Sequence, residues 1–186
     1  MKQASATVQI MAGQWKGKKL SVVNEVGLRP TLSRVKETLF NWLMHDIQGA
    51  DVLDCYTGSG SLTFEAASRY ARRVIAIDNN KKAIAMLNSN KKILQAEQIQ
   101  CVEDNTLHYL KQQATESFDV IFLDPPFHQG LLNPSMALLE KNGYLKAQCC
   151  IYMEYEKALQ DLQIPESWIL YRKKETKTMI YALYKK

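Results

Sequence analysis

From about residue 50, short apolar segments alternate with longer amphipathic ones. Short apolar runs predict buried strands, because a strand that is covered on both faces has no side that must stay polar. The predicted strands are 52–55, 74–77, 99–102, 120–123 and 149–153. Helices are predicted near 61–70, 80–94, 105–112, 131–140 and 155–161. This order predicts an α/β fold in which a mainly parallel sheet carries helices on both faces.

The first thirty residues have a different pattern. Val8, Ile10 and Ala12 alternate with polar neighbours, and residues 13–20 have the composition of a turn between two short strands. We therefore expect residues 1–30 to form a basic β-hairpin extension and residues 31–186 to form the main domain. We expect this domain to begin with a helix. Thr31 is a suitable N-cap, and the apolar residues that follow it recur on one helical face.

The C-terminal segment predicts an antiparallel hairpin, since 168–172 and 179–184 flank a polar stretch. The expected fold is therefore an open, Rossmann-like α/β sheet that ends in this hairpin. A length of 186 residues suits one such domain with a small appendage. The longest apolar run, 149–153, has five residues, whereas a membrane helix needs about 20. We therefore expect no membrane association.

Charge is unevenly distributed along the chain. The net charge is +5, yet residues 1–37 carry seven Lys and Arg against two acids, and residues 172–186 carry six against one. The centre has an excess of five acids. Two basic ends indicate a polyanionic partner such as nucleic acid. The four cysteines and three histidines show no metal-ligand spacing, so we expect free thiols, no metal and a cytoplasmic location.

A glycine-rich turn follows the first strand of the predicted sheet. Asp54 ends that strand, and Gly58 and Gly60 allow the backbone to approach a ligand closely. A dinucleotide-binding fingerprint requires a third glycine, and this chain has Thr63 there. The turn alone is a weak signal, because many tight turns bind nothing.

Acids at the ends of the next strands strengthen this signal. Asp78 and Asn79 follow the second strand, and Asp104 and Asn105 follow the third. The carboxyl ends of parallel strands meet at one edge, where an acid commonly binds ribose hydroxyls. Acids without a phosphate-binding lysine motif favour a nucleoside that lacks phosphates. S-adenosylmethionine is such a molecule, and its sulfonium cation tolerates nearby carboxylates.

Asp124-Pro125-Pro126-Phe127, after the fourth strand, is the most specific motif of the chain. Its prolines fix φ and remove two backbone donors, so the segment is stiff and extended. An exocyclic amino group of a base would donate one hydrogen to the Asp124 carboxylate and another to the Pro125 carbonyl. Phe127 would stack on the base, which contributes about 1–3 kcal/mol in nucleic-acid systems. Held in this way, the nitrogen lone pair points at a methyl donor, and positioning supplies most of the catalysis.

Together these motifs resemble class I S-adenosylmethionine-dependent methyltransferases that modify amino groups, and Tyr56 in the glycine turn is typical of that branch. Two N-terminal motifs narrow the resemblance. Residues 10–20 read IMAGQWKGKKL, and residues 28–31 and 34–41 read LRPT and RVKETLFN. They are similar to the bacterial small-subunit (16S) ribosomal RNA guanine-N2 methyltransferase family, and the likeness extends over about residues 8–184.

The resemblance implies a seven-stranded fold and methyl transfer from S-adenosylmethionine to N2 of one guanine of 16S rRNA, in an assembled or assembling small subunit. A monomer is the default expectation. The implied cofactor contacts are Asp54, Tyr56, Gly58, Gly60, Asp78, Asn79, Asp104 and Asn105. The implied catalytic residues are Asp124, Pro125 and Phe127. The implied substrate contacts are Arg29, Thr31 and Arg34 near the mouth of the site and Lys16, Lys18 and Lys19 on phosphates.

Other functions stay open at this point. The Asp-Pro-Pro-Phe motif alone does not separate guanine N2 from adenine N6 in RNA or DNA. Enzymes that methylate protein glutamine generally have asparagine in place of Asp124, which disfavours that substrate. A non-enzymatic RNA-binding assembly factor is expected to have lost the glycine turn or Asp124, and both are present. Glu154 is a further candidate to face the site, and Trp15 either packs on the main domain or stacks on a base.

Overall fold

The computed structural model of the protein describes residues 7–22 and 33–186. Arg29 and Thr31, and with them the predicted helix cap, lie outside these ranges. The strands are β1 Thr7–Gln9, β2 Lys19–Ser21, β3 Asp51–Asp54, β4 Arg73–Asp78, β5 Ile99–Glu103, β6 Phe118–Leu123, β7 Leu145–Glu156, β8 Ile169–Glu175 and β9 Met179–Lys185. The helices are α1 Ser33–Trp42, α2 Ser61–Ser68, α3 Lys81–Leu94, α4 Thr106–Lys111 and α5 Leu132–Lys141.

In the described ranges, β3 to β9 form one seven-stranded sheet in the order β5-β4-β3-β6-β7-β9-β8. The pairs from β5 to β7 are parallel, and β9 is antiparallel to both β7 and β8. The chain moves outward from β3 through β4 to β5 and then returns to the other side of β3 as β6. The predicted fold class is therefore confirmed. Ligands in such sheets bind at the carboxyl edge where the order reverses, here between β3 and β6.

Both faces of the central strands β3, β4 and β6 are covered by apolar side chains, which explains why these strands lack a polar face. On one face α1, α2 and α3 pack on the sheet, and the Phe40 and Phe122 rings meet edge to face at 6.0 Å. On the other face α4 and α5 bury Leu110 and Met136 against Ile121. Side chains of this size each contribute about 1.5–3 kcal/mol on full burial.

The β1–β2 hairpin docks on α2 through both apolar and polar contacts. Trp15 is only 8% exposed and belongs to the core shared with α1 and α2, so it packs on the main domain. The backbone N–H groups of Met11 and Ala12 donate to the buried Glu65 carboxylate at 2.8 and 3.1 Å. The Trp15 N–H donates to the Ser68 hydroxyl at 3.0 Å. These contacts fix the hairpin on the last two turns of α2.

The predicted helix at 155–161 is wrong. Instead, β7 continues to Glu156, because β9 satisfies its backbone groups as far as the pair Glu156–Met179. The strand also begins earlier than predicted, at Leu145. Local composition did not reveal this, since the pairing partner lies more than twenty residues downstream. Among the described helices, none combines the length and apolar character needed to cross a membrane.

Candidate active site

The register of the sheet brings four predicted acids to one edge. Asp54 ends β3 and Asp78 ends β4, while Asp104 and Asp124 directly follow β5 and β6. The strands are parallel and adjacent, so these positions lie along one carboxyl edge. The turn from β3 to α2 lies at the point where the strand order reverses. The predicted cofactor and catalytic motifs thus share one crevice.

Asp78 holds the glycine turn against β4. Its carboxylate accepts hydrogen bonds from the Gly58 N–H and the Asn80 N–H, each at 2.8 Å. Gly60 adopts a φ of 76°, and a Cβ there would lie 2.9 Å from the Phe64 ring. A side chain at this position would therefore strain both the backbone and the packing. The result is a turn whose backbone is bare toward the crevice and fixed from behind.

Asp54 is buried beneath this turn. Its Oδ2 accepts a 2.6 Å hydrogen bond from the Thr63 hydroxyl, which also lies 2.9 Å from the Thr57 hydroxyl. Burial raises the pKa of Asp54 to about 6, against the opposing effect of the hydrogen bonds from Thr63 and Thr57. Thr63 was not predicted as a site residue. The sequence signal that could have found it is its position, where a dinucleotide fingerprint has glycine. A hydroxyl at this position reaches back to Asp54 at the end of the first strand of the main sheet.

Two polar atoms beside the turn are buried without a hydrogen-bond partner among the described residues, Asp54 Oδ1 and Ser61 Oγ. Both atoms are closed off from the surface, so they lie behind the turn and not on the surface that a ligand would touch. The surrounding carboxylates can accept from ribose hydroxyls and attract a cation. The residues present therefore fit a positively charged nucleoside.

The remaining predicted cofactor residues are placed less directly. Asp104 accepts from its neighbour's backbone N–H at 2.7 Å and lies 2.9 Å from the His108 ring nitrogen. The Asn105 side chain caps α4 by accepting the His108 N–H at 3.1 Å. Asn79 is exposed, whereas Asn80, which was not predicted, caps α3 through its side-chain oxygen. Asp104 and Asn105 thus lie at the expected edge, but their side chains already organise the start of α4.

Two hydroxyls tie the glycine turn to the opposite face. The Tyr56 hydroxyl lies 2.7 Å from the Ser135 hydroxyl of α5, and burial raises the pKa of Tyr56 to about 12. Thr106, at the start of α4, donates a short hydrogen bond to the carbonyl of Cys55. Tyr56 therefore supports the turn from the α5 side, and its contact with a cofactor stays a prediction.

Residues 125–127, which directly follow Asp124, form one wall of an open cleft. Pro125 is buried and Phe127 is half-buried. The cleft has a volume of about 190 Å³. The loop that follows Phe127 and residues at the end of β7 also line it. His128 adopts a φ of 63°, and its N–H and ring nitrogen both contact the Glu156 carboxylate. This contact joins the loop to the end of β7.

Glu154 lines this cleft and lies next to the Asp124–Phe127 loop. β7 pairs with β6 as far as Leu123 and Met153, so Glu154 is level with Asp124 on the neighbouring strand. Glu154 is 4% exposed, it lines the cleft, and it accepts a 2.7 Å hydrogen bond from the Tyr152 hydroxyl. Two acids thus stand side by side where β6 and β7 reach the crevice.

The predicted RNA contacts are spread more widely. Arg34 is exposed in the first turn of α1. Lys16, Lys18 and Lys19 are exposed on the hairpin, whose turn contacts Ser68 at the C-terminal end of α2. Because α2 runs from the carboxyl end of β3 to the amino end of β4, this turn lies at the edge opposite the crevice. In the described ranges, no group of three or more His, Cys, Asp or Glu side chains is arranged to hold a metal.

Comparison with known proteins identifies the family of the chain. Residues 8–185 match the family described as conserved hypothetical protein 95. The chain belongs to this family. Ribosomal RNA small subunit methyltransferase D of Haemophilus influenzae is 46% identical to it over 184 residues, with 97% of this chain and 95% of the relative covered. The Escherichia coli protein of the same name is 41% identical over 182 residues, with 98% and 91% covered.

Solved structures give the same result. The Escherichia coli protein yhhF, described as a methyltransferase, superimposes with a TM-score of 0.91 and 40% identity, and the match covers 97% of this chain and 98% of that one. A Haemophilus influenzae protein described as a methylase gives a TM-score of 0.84 at 42% identity, with the same coverage. The family that the N-terminal motifs and the glycine turn indicated is therefore confirmed.

Proposed function

We propose that the protein transfers a methyl group from S-adenosylmethionine to the exocyclic N2 amine of a guanine in small-subunit ribosomal RNA. The observation that carries this proposal is the position of the Asp124–Phe127 loop, between the Asp54 turn on one side and the cleft above Glu154 on the other. The names of the relatives support ribosomal RNA of the small subunit as the substrate.

On the cofactor side, S-adenosylmethionine supplies an electrophilic methyl group on a positively charged sulfur. Asp78 would accept from its ribose hydroxyls, since each carboxylate oxygen retains acceptor capacity beyond the bond to the turn. Asp54 would supply negative charge beneath the bare backbone of Gly58 and Gly60.

On the base side, the Asp124 carboxylate and the Pro125 carbonyl would accept the two hydrogens of the amine, while Phe127 stacks on the ring. This arrangement turns the nitrogen lone pair out of conjugation and toward the methyl donor. The stiffness of the double-proline loop holds the alignment in advance, which is the main contribution expected of a transfer that needs orientation. The base would reach the cleft by flipping out of its stack.

The pair Asp124 and Glu154 favours guanine over adenine. The edge of guanine presents the N1–H beside the N2 amine, which are neighbouring donors, whereas adenine presents an acceptor at N1 beside its amine. Two carboxylates at one level of adjacent strands match two neighbouring donors. A carboxylate opposite adenine N1 would place two acceptors against each other. This complementarity is the physical reason for proposing guanine N2 rather than adenine N6.

The test is methyl transfer from labelled S-adenosylmethionine to small subunits isolated from cells that lack this protein. Protein-free ribosomal RNA, genomic DNA and bulk protein are assayed in parallel, and labelled RNA is digested to nucleosides. We expect N2-methylguanosine, and more of it from subunits than from free RNA. Label in adenosine, or only in DNA or protein, would refute the proposed substrate.

Variants of the loop test the assignment of the site within the same assay. Phe127→Ala should lower kcat/KM about ten- to a hundredfold, which corresponds to the loss of about 1–3 kcal/mol of stacking. Phe127→Tyr keeps the ring and should remain close to the unchanged protein. Asp124→Ala should abolish most transfer, and a rate near that of the unchanged protein would remove Asp124 from the mechanism.

A further inference from the structure

Strand β8 forms an exposed edge of the main sheet. All seven of its residues are exposed, so neither face of the strand is covered by a helix. It pairs with β9, which is antiparallel to both β8 and β7, and β8 therefore runs parallel to β7. Lys174 pairs with Tyr181, which pairs in turn with Glu154. The second half of β8 thus emerges at the same edge of the sheet as the catalytic loop.

This end of β8 is strongly basic. We define the β8 tip by four exposed cations, Arg172, Lys173, Lys174 and Lys177. None of the four makes an ion pair with the described residues, and Glu175, the nearest acid in sequence, is already paired with Lys157 at 3.2 Å. Uncompensated cations in a row on a surface attract a polyanion.

The β8 tip lies close to the proposed target base. Neighbouring strands are about 4.8 Å apart, so β8 lies about 10 Å from β7 and about 14 Å from β6 in the plane of the sheet. Lys173 is level with Met153 and Lys174 with Glu154, and successive side chains of a strand point to opposite faces. The tip therefore presents positive charge on both faces of the edge, beside the mouth of the cleft.

The N-terminal hairpin does not share this position. Its turn carries Lys16 and Lys18 and contacts Ser68, at the amino edge of the sheet. Gln98, which directly precedes β5, contacts the neighbouring Ala67 carbonyl and confirms which edge this is. The hairpin turn and the β8 tip therefore lie at opposite edges of the sheet, and of the two only the tip shares the edge of the cleft.

We propose that the β8 tip binds the phosphates of the nucleotides that flank the target base. This inference rests on the proposed function, because it takes RNA as the substrate. The tip touches no reacting atom, so its contribution belongs to substrate binding. Each lost phosphate contact reduces the salt dependence of log K by about 0.7 for single-stranded and about 0.9 for duplex nucleic acid.

The experiment compares two triple variants with the same change in net charge. The first, Lys173→Gln/Lys174→Gln/Lys177→Gln, neutralises the three lysines of the tip and leaves Arg172 in place. The matched control, Lys92→Gln/Lys111→Gln/Lys141→Gln, neutralises three exposed lysines near the C-terminal ends of α3, α4 and α5, at the opposite edge. Methyl transfer to undermethylated small subunits gives KM and kcat at several salt concentrations. Filter binding of the same subunits gives affinity without requiring catalysis, and thermal unfolding verifies the fold.

For the tip variant we expect about a tenfold rise in KM, a salt slope shallower by about 2, and an unchanged kcat. The control should stay near the unchanged protein in all three. Equal effects of both variants would mean that net charge alone matters, and a tip variant that binds normally would overturn the inference. If the unchanged protein methylates the subunits while the tip variant binds normally, only this inference fails. If the unchanged protein binds the subunits through the tip but does not methylate them, only the proposed function fails.

Discussion

The buried carboxyl of Asp54 makes stability depend on pH in a way that one substitution isolates. Burial raises its pKa from the ordinary value of 3.8 to about 6. The folded protein therefore holds this proton more tightly than the unfolded chain does. The contribution is fully present below pH 3.8 and is lost as pH rises through about 6. Above that pH, the fold carries the cost of an ionised buried carboxylate.

The size of this cost follows from the pKa change. At about 1.36 kcal/mol for each pKa unit, the rise to about 6 corresponds to about 3 kcal/mol. Asp54→Asn keeps the shape and the acceptor for Thr63 but does not titrate. The free energy of unfolding of Asp54→Asn, relative to that of the unchanged protein, should therefore increase by about 2 kcal/mol between pH 4 and pH 7, because pH 4 already lies above the unfolded pKa. Any cost of burying the amide is the same at every pH. The diagnostic quantity is therefore the change with pH in the stability difference between the two proteins.

The assay is urea unfolding of both proteins at half-unit pH intervals, without cofactor. Asp161→Asn is the control, because it removes a carboxylate from the exposed segment after β7. Its stability difference should not follow the curve of Asp54→Asn. A difference between Asp54→Asn and the unchanged protein that is constant from pH 4 to pH 7 would refute the argument, since it would mean that burial does not perturb this carboxyl.

Three further predictions concern other parts of the site and its supports. Glu65→Ala should lower the free energy of unfolding by about 3–5 kcal/mol, because the buried ammonium of Lys36 lies 3.4 Å from that carboxylate and would lose its charged partner; Glu65→Gln, which keeps an acceptor, should cost less in the same denaturation assay. Gly60→Ala should lower Tm more than Gly49→Ala, since both glycines have a φ of 76° but only the Cβ at residue 60 meets an aromatic ring, at 2.9 Å; equal losses would contradict the packing argument. Glu154→Gln should lower kcat/KM for RNA about tenfold while leaving cofactor affinity unchanged, as expected for one lost base contact of about 1–3 kcal/mol. An unchanged kcat/KM would exclude Glu154 from base recognition.

The fold was largely predictable because its strands are marked by local composition. The run at 120–123 was predicted as a strand, and β6 spans Phe118–Leu123. Strands that are buried on both faces consist of apolar residues throughout, so their signal needs no knowledge of the partner strand. The same holds for the acids of the crevice. Each directly follows such a strand, and parallel strands bring their carboxyl ends together whatever the details of the helices.

What local patterns missed depends on partners that are distant in sequence. The end of β7 was predicted as helix, yet its residues pair with β9 as far as Glu156. The sequence did not indicate that Glu65 supports the hairpin. The backbone N–H groups that donate hydrogen bonds to its carboxylate lie more than fifty positions earlier in the chain. The position of Lys16 and Lys18 at the opposite edge follows from the docking of the hairpin on Ser68. Their charge alone does not reveal it.

In the proposed function one short motif serves two ligands, and the position of β6 accounts for this. β6 lies between β3, which leads into the glycine turn, and β7, which ends beside the cleft. The turn is held by hydrogen bonds within the domain, such as that from the Gly58 N–H to Asp78. The loop after Phe127 is joined to β7 by the contact of the exposed His128 with the half-buried Glu156. A change behind the turn should therefore alter the apparent affinity for the cofactor. A change at the end of β7 should alter the apparent affinity for RNA. Only the motif between them belongs to both sides, and this is why its alteration should appear in kcat.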